Sequence, residues 1–177
     1  VQARQRGIDR ARKEVKKGRC RVFHAVEANK VLDGMNGIPS VATFVLPRVK
    51  VDMVSWSAYD GMEYGKDNGI KMYKGCEFLK KQLRPSAYMK GRKVVYIGEI
   101  GVKENTKQAD SLDKTHELWD TWMGVYIALD IPYVFQWALY DNEFIDHSIK
   151  HKHGQKYKNK NMIGFWLIRA DGSKSWT

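Results

Sequence analysis

The hydrophobic positions of the chain alternate between two kinds of segment. Four runs of nearly continuous apolar, β-prone residues predict strands over residues 21–26, 51–57, 93–97 and 132–137. Between and before them, apolar residues recur at helical spacing and predict helices over residues 5–17, 69–83 and 111–129. A shorter helix is predicted over residues 40–46, because Pro47 cannot continue it. The chain is therefore expected to alternate strands with helices.

Strands that are apolar along their whole length are typical of a parallel sheet with both faces buried. Four such strand–helix units make half of a (β/α)₈ barrel or a small doubly wound sheet. A doubly wound sheet usually has a glycine-rich phosphate loop after its first strand, whereas Glu27-Ala28-Asn29 follows the first strand here. The pattern favours an α/β half barrel, formed by residues 1–177 as a single domain.

The composition is that of a globular protein, with 43% hydrophobic and 12% aromatic residues. The six Trp and nine Tyr are many for this length. Burial in the core is the default interpretation of an aromatic residue, and stacking against a sugar ring is the alternative. Trp56 and Trp119 are predicted to be core residues.

The formal net charge of +11 raises the question of a nucleic-acid partner. The basic residues crowd residues 4–21, 80–93 and 150–160, which are interpreted as solvated helix faces and a polar loop. We therefore predict no nucleic-acid partner, and interpret His151 and His153 as solvated rather than metal-binding. No apolar stretch reaches the ~20 residues of a membrane span, so no membrane association is predicted.

Cys20 and Cys76 have no metal-like spacing, so neither a metal nor another cofactor is predicted. Whether these cysteines pair or remain free is left open. The chain begins with Val1 rather than Met, which is typical of an excised or processed piece. The missing signal peptide therefore leaves the compartment open.

Catalytic residues of a (β/α)₈ barrel lie at the carboxyl ends of its strands. Each predicted strand here ends in polar or aromatic residues: Glu27 and Asn29; Ser57, Tyr59 and Asp60; Glu99; and Trp137, Asp141 and Asn142. A sheet without a site would not be expected to carry such groups at every strand end.

Glu99 is the strongest single candidate, because it follows an apolar strand and lies between Gly98 and Gly101. Small neighbours allow its side chain to project into a cleft, although a Glu that caps the following loop is the alternative. A retaining glycosidase uses one carboxylate as nucleophile and a second as acid/base, roughly 5–5.5 Å apart. The nucleophile has to stay ionised, and Tyr59 at the adjacent strand end is a natural hydrogen-bond donor for it.

Several of these runs resemble motifs of the clan A glycoside hydrolases. Residues 95–101 (Val-Tyr-Ile-Gly-Glu-Ile-Gly) resemble the seventh-strand nucleophile motif, and residues 133–137 resemble the eighth strand with its terminal Trp. Ser57-Ala58-Tyr59 is similar to the sixth-strand segment whose Tyr bonds the nucleophile. Residues 164–172, a glycine and a hydrophobic run before Asp-Gly, resemble the closing segment of the clan. The resemblance spans nearly the whole chain.

The resemblance implies the C-terminal half of a (β/α)₈ TIM barrel, strands 5–8. It also implies hydrolysis of a β-linked glycoside with retention, with Glu99 as nucleophile, Tyr59 as its partner and Trp137 as the floor of the sugar subsite. The clan's acid/base lies on the fourth strand, which would precede Val1. Glu27 falls on the fifth strand, so it is interpreted as a substrate hydrogen-bond partner or a charge partner of His24 or Lys30. The alternative is that Glu27 is the acid/base in a displaced register.

The remaining predicted substrate-binding residues are His24, Asn29, Ser57, Asp141 and Asn142. His24 is placed facing the barrel interior because it alternates with Phe23, while Asp141 and Asn142 either bind sugar hydroxyls or simply make their loop polar. Since a half barrel has two open edges, we expect an N-terminal half barrel or a second chain to complete it around a carbohydrate substrate. The resemblance is compatible with an extracellular or cell-envelope location.

Two other functions remain open at this point. One is a catalytically inactive glycan-binding or structural TIM-barrel protein. The other is a barrel that uses the same strand ends for a different small molecule.

Overall fold

A computed structural model describes residues 1–15, 22–62, 69–103, 111–137, 143–144, 148 and 162–164. Its strands in chain order are β1 (Ala25–Ala28), β2 (Lys50–Val51), β3 (Met53–Ser57), β4 (Arg84–Pro85), β5 (Val94–Ile100), β6 (Val134–Gln136), β7 (Glu143–Phe144) and β8 (Met162–Ile163). The main sheet is parallel throughout and has the spatial order β1-β3-β5-β6. Strands β2 and β4 form a parallel pair, and β7 and β8 an antiparallel one.

The helices are α1 (Gln2–Glu14), α2 (Val31–Met35), α3 (Ile70–Gln82) and α4 (Leu112–Ala128). A π-helical turn covers Val41–Val45, and 3₁₀ turns cover Ala58–Gly61 and Ala87–Met89. Two helical starts follow from local hydrogen bonding, because Ser40 and Thr43 form a reciprocal capping box and the Ser111 side chain accepts from the Lys114 amide. The predicted α/β class with a four-stranded parallel sheet is confirmed.

Four details differ from the predicted elements. The strand expected over residues 21–26 covers Ala25–Ala28 instead, so Glu27 lies inside β1 rather than after it. The strand expected over residues 51–57 is two strands, separated at Asp52. The helix expected over residues 40–46 is a π-helical turn. The strand expected to end at Ile97 continues to Ile100, so Glu99 lies inside β5 rather than after it.

One face of the main sheet forms the hydrophobic core, in which Trp56 and Trp122 are the largest fully buried side chains. A Cβ atom added at Gly75 on α3 would lie 2.3 Å from the Trp56 indole, and one added at Gly61 would lie 2.6 Å from it. The indole therefore occupies the space that side chains at both positions would need. Trp119, on α4, is also buried, as expected for a core residue.

The opposite face of the sheet, called the second face below, carries the residues that alternate with the core positions. Its residues on the inner strands are Ser55, Ser57, Tyr96 and Glu99. Tyr133, Phe135 and Trp137 continue it across and beyond β6 and are 52%, 54% and 49% exposed. Tyr96 contacts the rings of Tyr133 and Phe135 edge to face. The second face is thus aromatic and half open to solvent along β6.

A register shift in the β3–β5 pairing determines where Glu99 lies. Trp56 pairs with Ile97, but the next residue, Ser57, pairs with Glu99, so Gly98 is an extra residue in β5. Ile97 and Ile100 both belong to the core, and the bulge between them leaves Glu99 on the second face beside Ser57.

Asp52, which is 0% exposed, is the centre of a buried polar network at the amino end of the sheet. Arg12 Nη2 donates to its Oδ2 at 2.6 Å and the His24 amide donates to the same oxygen at 2.6 Å. Gln5 Nε2 donates to Oδ1 at 3.3 Å, and the Ser86 hydroxyl donates to Oδ1 as well. Burial alone would raise the pKa of Asp52, but these hydrogen bonds outweigh burial and hold its pKa below the usual value.

We predict that Gly75→Ala lowers the free energy of unfolding by about 1–3 kcal/mol, because the rigid, buried indole of Trp56 cannot move aside. Gly124→Ala is the matched control, since Gly124 is also helical but has no atom within 4 Å of the added Cβ. That substitution should stabilise the protein by up to about 1 kcal/mol. Urea unfolding of both variants measures the contrast, and equal effects would contradict this packing.

We predict that Arg12→Met costs about 3–5 kcal/mol near neutral pH, because it leaves the Asp52 carboxylate buried without its cation. With Arg12 present, the depressed pKa of Asp52 stabilises the fold above its unfolded-state pKa of about 4, and this contribution is lost as the pH falls through the folded-state pKa. Without Arg12, burial favours the protonated carboxyl group. The stability difference between the two proteins should therefore shrink from about pH 7 to about pH 4.

The control for this measurement is Arg10→Met on the same helix, since the Arg10 side chain is 80% exposed. It should change stability by less than about 0.5 kcal/mol at either pH. A pH-independent loss in Arg12→Met would show that packing, and not the ion pair, accounts for the role of Arg12.

Candidate functional site

The carboxyl ends of β1, β3 and β5 meet at one cleft of about 310 Å³. Three loops or strand ends supply its lining, which consists of Glu27, Asn29, Lys30, Ser57, Tyr59, Asp60 and Glu99. Parallel strands that are neighbours in a sheet end at the same edge, so side chains distant in sequence come together there. Five of the predicted site residues therefore share one cleft: Glu27, Asn29, Ser57, Tyr59 and Glu99.

Glu27 is oriented by its neighbour on β3. The Ser57 hydroxyl donates to Glu27 Oε1 at 2.7 Å. The charge partnership considered for Glu27 and His24 is wrong, because the His24 ring bonds Gln5 instead. Glu27 is an exposed residue and lines the cleft.

Glu99 is half buried and lies across from Ser57 in the sheet. At the bulge, the Gly98 backbone lies close to the Ser55 side chain, since a Cβ atom added at Gly98 would lie 1.9 Å from the Ser55 Oγ. Tyr59 is half buried in the adjacent 3₁₀ turn and lines the same cleft. Tyr59 and Glu99 line the same cleft, and the hydrogen bond expected between them stays a prediction.

Asp60 joins the wall of the cleft to the core. Its Oδ1 accepts from the indole Nε1 of Trp56 at 2.9 Å, and its Oδ2 accepts from the Leu32 amide at 2.9 Å. The first bond satisfies the buried indole, and the second attaches the β3 end to the start of α2. Because α2 follows the Glu27–Lys30 segment directly, Asp60 links the two sides of the cleft.

Lys30 is the cation among the residues lining the cleft. Its backbone is left-handed, with φ 53° and ψ 45°, at the position that precedes α2. Lys30 and Asp60 were not among the predicted site residues. The sequence identifies Asp60 only as a polar residue at the end of its strand, and Lys30 only as a possible charge partner of Glu27.

Trp137 lies next to the end of β5 but is not part of the cleft lining. Its amide donates to the Ile100 carbonyl at 2.8 Å, one residue beyond Glu99. Its ring is half exposed, with Phe135 and Tyr133 preceding it on the second face. A half-exposed indole offers a flat apolar surface just beyond the end of β6.

The structure corrects the predicted role of His24. His24 is 7% exposed, precedes β1 and lies at the amino end of the sheet, where its Nδ1 is 3.0 Å from Gln5 Oε1. Burial lowers its pKa below the ordinary value. His24 therefore belongs to the Asp52 network and is not a residue of the cleft.

Some predicted residues lie outside the described part of the chain, namely Asp141, Asn142, His151, His153 and Cys20. Cys76 is a buried free thiol, and burial raises its pKa to about 12. Within the described ranges no group of three or more His, Cys, Asp or Glu residues could hold a metal ion. Nor does any helix there have the length and apolar character needed to cross a membrane.

Comparison with known proteins found no matching protein-family model, curated protein or solved structure. The function must therefore be inferred from the cleft itself.

We predict that Asp60→Asn destabilises the protein by about 1–3 kcal/mol, because an amide offers one acceptor oxygen where the carboxylate serves two donors. Either the Trp56 indole or the Leu32 amide then loses its partner. Urea unfolding measures the cost, and the indole N–H resonance of Trp56 reports whether its bond survives. Asp120→Asn, at an exposed position of α4, is the control and should stay within about 0.5 kcal/mol of the native protein.

Proposed function

We propose that this chain is the C-terminal half, strands 5–8, of a retaining glycoside hydrolase barrel, with Glu99 as the catalytic nucleophile. The observation that carries the proposal is the convergence of Glu27, Ser57, Tyr59 and Glu99 at the carboxyl ends of three adjacent parallel strands. This edge is where the catalytic groups of (β/α)₈ enzymes lie. The likeness of residues 95–101 to the clan A nucleophile motif gives Glu99 its role.

In the proposed reaction a Glu99 oxygen attacks the anomeric carbon of a β-linked glycoside. The bond between that carbon and the leaving-group oxygen breaks, and an acid protonates the departing oxygen. Water, deprotonated by the same group, then attacks the glycosyl-enzyme ester and releases the sugar with its original configuration. The Glu99 carboxylate has to be accessible from the cleft in both steps, first to the sugar and then, as the ester, to water. Its half-buried position beside Ser57 is compatible with this.

The acid/base in this proposal comes from outside the chain, on the strand that corresponds to the fourth of the barrel. Glu27 serves as a substrate hydrogen-bond partner, oriented by the Ser57 hydroxyl. Asn29 is exposed at the same mouth and supplies a further amide for sugar hydroxyls. Trp137 forms the floor on which the sugar ring stacks.

The second face supports completion of the barrel by an N-terminal half barrel or a second chain. Parallel sheets are normally covered on both faces, yet Tyr133, Phe135 and Trp137 are each about half exposed. In the described residues, β1 and β6 each pair with one neighbour in the main sheet, which leaves an unpaired edge on each side. A second set of strands would cover the Tyr133 and Phe135 rings and pair with both edges.

A glycan-binding protein without catalysis is the second candidate. The half-exposed rings of Tyr133, Phe135 and Trp137 favour it, because aromatic faces bind sugars without any reacting carboxylate. The two functions differ in one respect that can be measured, namely whether a covalent bond to Glu99 forms.

We predict that an activated 2-deoxy-2-fluoro-β-glycoside labels Glu99 in the complete barrel. The fluorine slows hydrolysis of the glycosyl-enzyme, so the ester accumulates and adds the mass of one sugar to the peptide that contains Glu99. Because the sugar is unspecified, a panel of gluco-, manno-, galacto- and xylo-configured probes is used. Peptide mass mapping after proteolysis locates the label.

Glu99→Gln should abolish labelling, and Glu117→Gln should not, since Glu117 is an exposed carboxylate on α4 outside the cleft. A label on Glu27 would show that Glu27, and not Glu99, is the nucleophile. Absence of labelling by the whole panel, together with saturable binding of the unreacted sugars, would favour the non-catalytic candidate.

A further inference from the structure

Four basic side chains surround a pocket at the end of the molecule opposite the cleft. Arg6 comes from α1, Arg48 from the turn before β2, Lys50 from β2 and Arg84 from β4. The pocket has a volume of about 330 Å³ and is also lined by Gln2, Gln5 and Asp9. These seven residues are called the basic pocket below. Strands β2 and β4 precede β3 and β5, so the pocket lies about one strand length, roughly 17 Å, from the cleft.

Two of the arginines are held in place by backbone carbonyl groups. Arg48 Nη1 donates to the carbonyls of Phe44 at 2.9 Å and Thr43 at 3.3 Å, and its guanidinium lies over the Phe44 ring at 4.4 Å. Arg84 Nη1 donates to the Pro47 carbonyl at 3.2 Å. Each guanidinium has five N–H groups, so most of its donors stay available after these bonds form.

No carboxylate among the described residues forms an ion pair with any of the four cations. Asp9 is the one acidic residue among the described residues of the lining, and its Oδ1 already accepts from Arg12 at 3.2 Å and from Gln5 at 3.0 Å. The lining thus combines four positive charges with a single, already bonded negative one. Like charges brought together from four elements repel one another, and an anion would relieve that repulsion.

We infer that the basic pocket binds a doubly charged tetrahedral oxyanion, that is, a phosphate or sulfate group. Guanidinium groups match such oxygens with paired, parallel N–H donors, and Lys50 adds a point charge. The pocket is large enough for one such group and part of the molecule that carries it. This site is independent of the proposed glycosidase activity, because it shares no residue with the cleft.

The test is isothermal titration calorimetry of the full chain with inorganic phosphate and, separately, with inorganic sulfate. Sodium chloride keeps the ionic strength constant within each titration. Saturable binding of either anion is expected, weakening as the total salt is raised. Phosphate binding that tightens as the pH rises through the second phosphate pKa, while sulfate binding does not change, would identify charge as the determinant. Amide shifts of residues 48–50 and 84 in ¹H–¹⁵N spectra locate the bound anion.

Arg6→Gln and Lys50→Gln are the informative variants, because neither side chain forms a hydrogen bond with another described residue, in contrast to Arg48 and Arg84. Each should weaken binding by about fivefold, and the double variant should lose saturable binding. Arg10→Gln and Lys90→Gln are the matched controls: Arg10 lies on α1 outside the pocket and Lys90 is exposed elsewhere. Both should bind as the native chain does.

Two results would overturn the inference. One is the absence of saturable binding of both anions by the native chain. The other is an equal loss of affinity in the variants and in the controls, because this would mean that the anion responds to the overall charge of +11 and not to the pocket.

Discussion

A carboxylate without access to water has to be surrounded by donors, and this requirement organises the amino end of the sheet. The donors to Asp52 come from α1, from the residue before β1 and from the segment before β5. Asp52 itself stands immediately before β3. The starts of β1 and β3 are therefore fixed by a single side chain, which also bonds the segment that leads into β5. Because strand length per residue is nearly constant, fixing the starts also determines how the carboxyl ends line up.

The cleft depends in turn on a second connection, between Trp56 and Asp60. The indole ring fills the core against α3, and its N–H is bonded to a carboxylate in the cleft wall. Packing in the core is thereby transmitted to the carboxyl edge through one hydrogen bond. The Leu32 amide extends this connection to the segment that carries Glu27 and Lys30. The walls of the cleft are thus held by the core and not by each other alone.

Much of this arrangement can be predicted from the sequence, because apolar runs specify the strands and the residues after them specify one edge of a parallel sheet. The failures have physical causes. Asp52 lies within an apolar run, so the sequence predicts that it is part of a strand. Its role as the centre of a network could not be predicted, because its donors Arg12 and Ser86 are distant in sequence. His24 was assigned a face by alternation, but it precedes β1, where alternation does not apply. Arg6, Arg48 and Arg84 look like separate solvated charges until the fold brings them to one pocket.

The bulge at Gly98 has a consequence for how such a chain can diverge. The space that a side chain at position 98 would need is occupied by the hydroxyl of Ser55, with the Ser55 Cβ only 3.3 Å away. A larger residue at position 98 requires that the Ser55 side chain move or be replaced by a smaller one, so a change at position 98 is coupled to position 55. In a set of related sequences they would covary, although they are 43 residues apart and neither carries a reacting group. That covariation would trace the register of β3 and β5 through evolution, even where the neighbouring carboxylate has been lost.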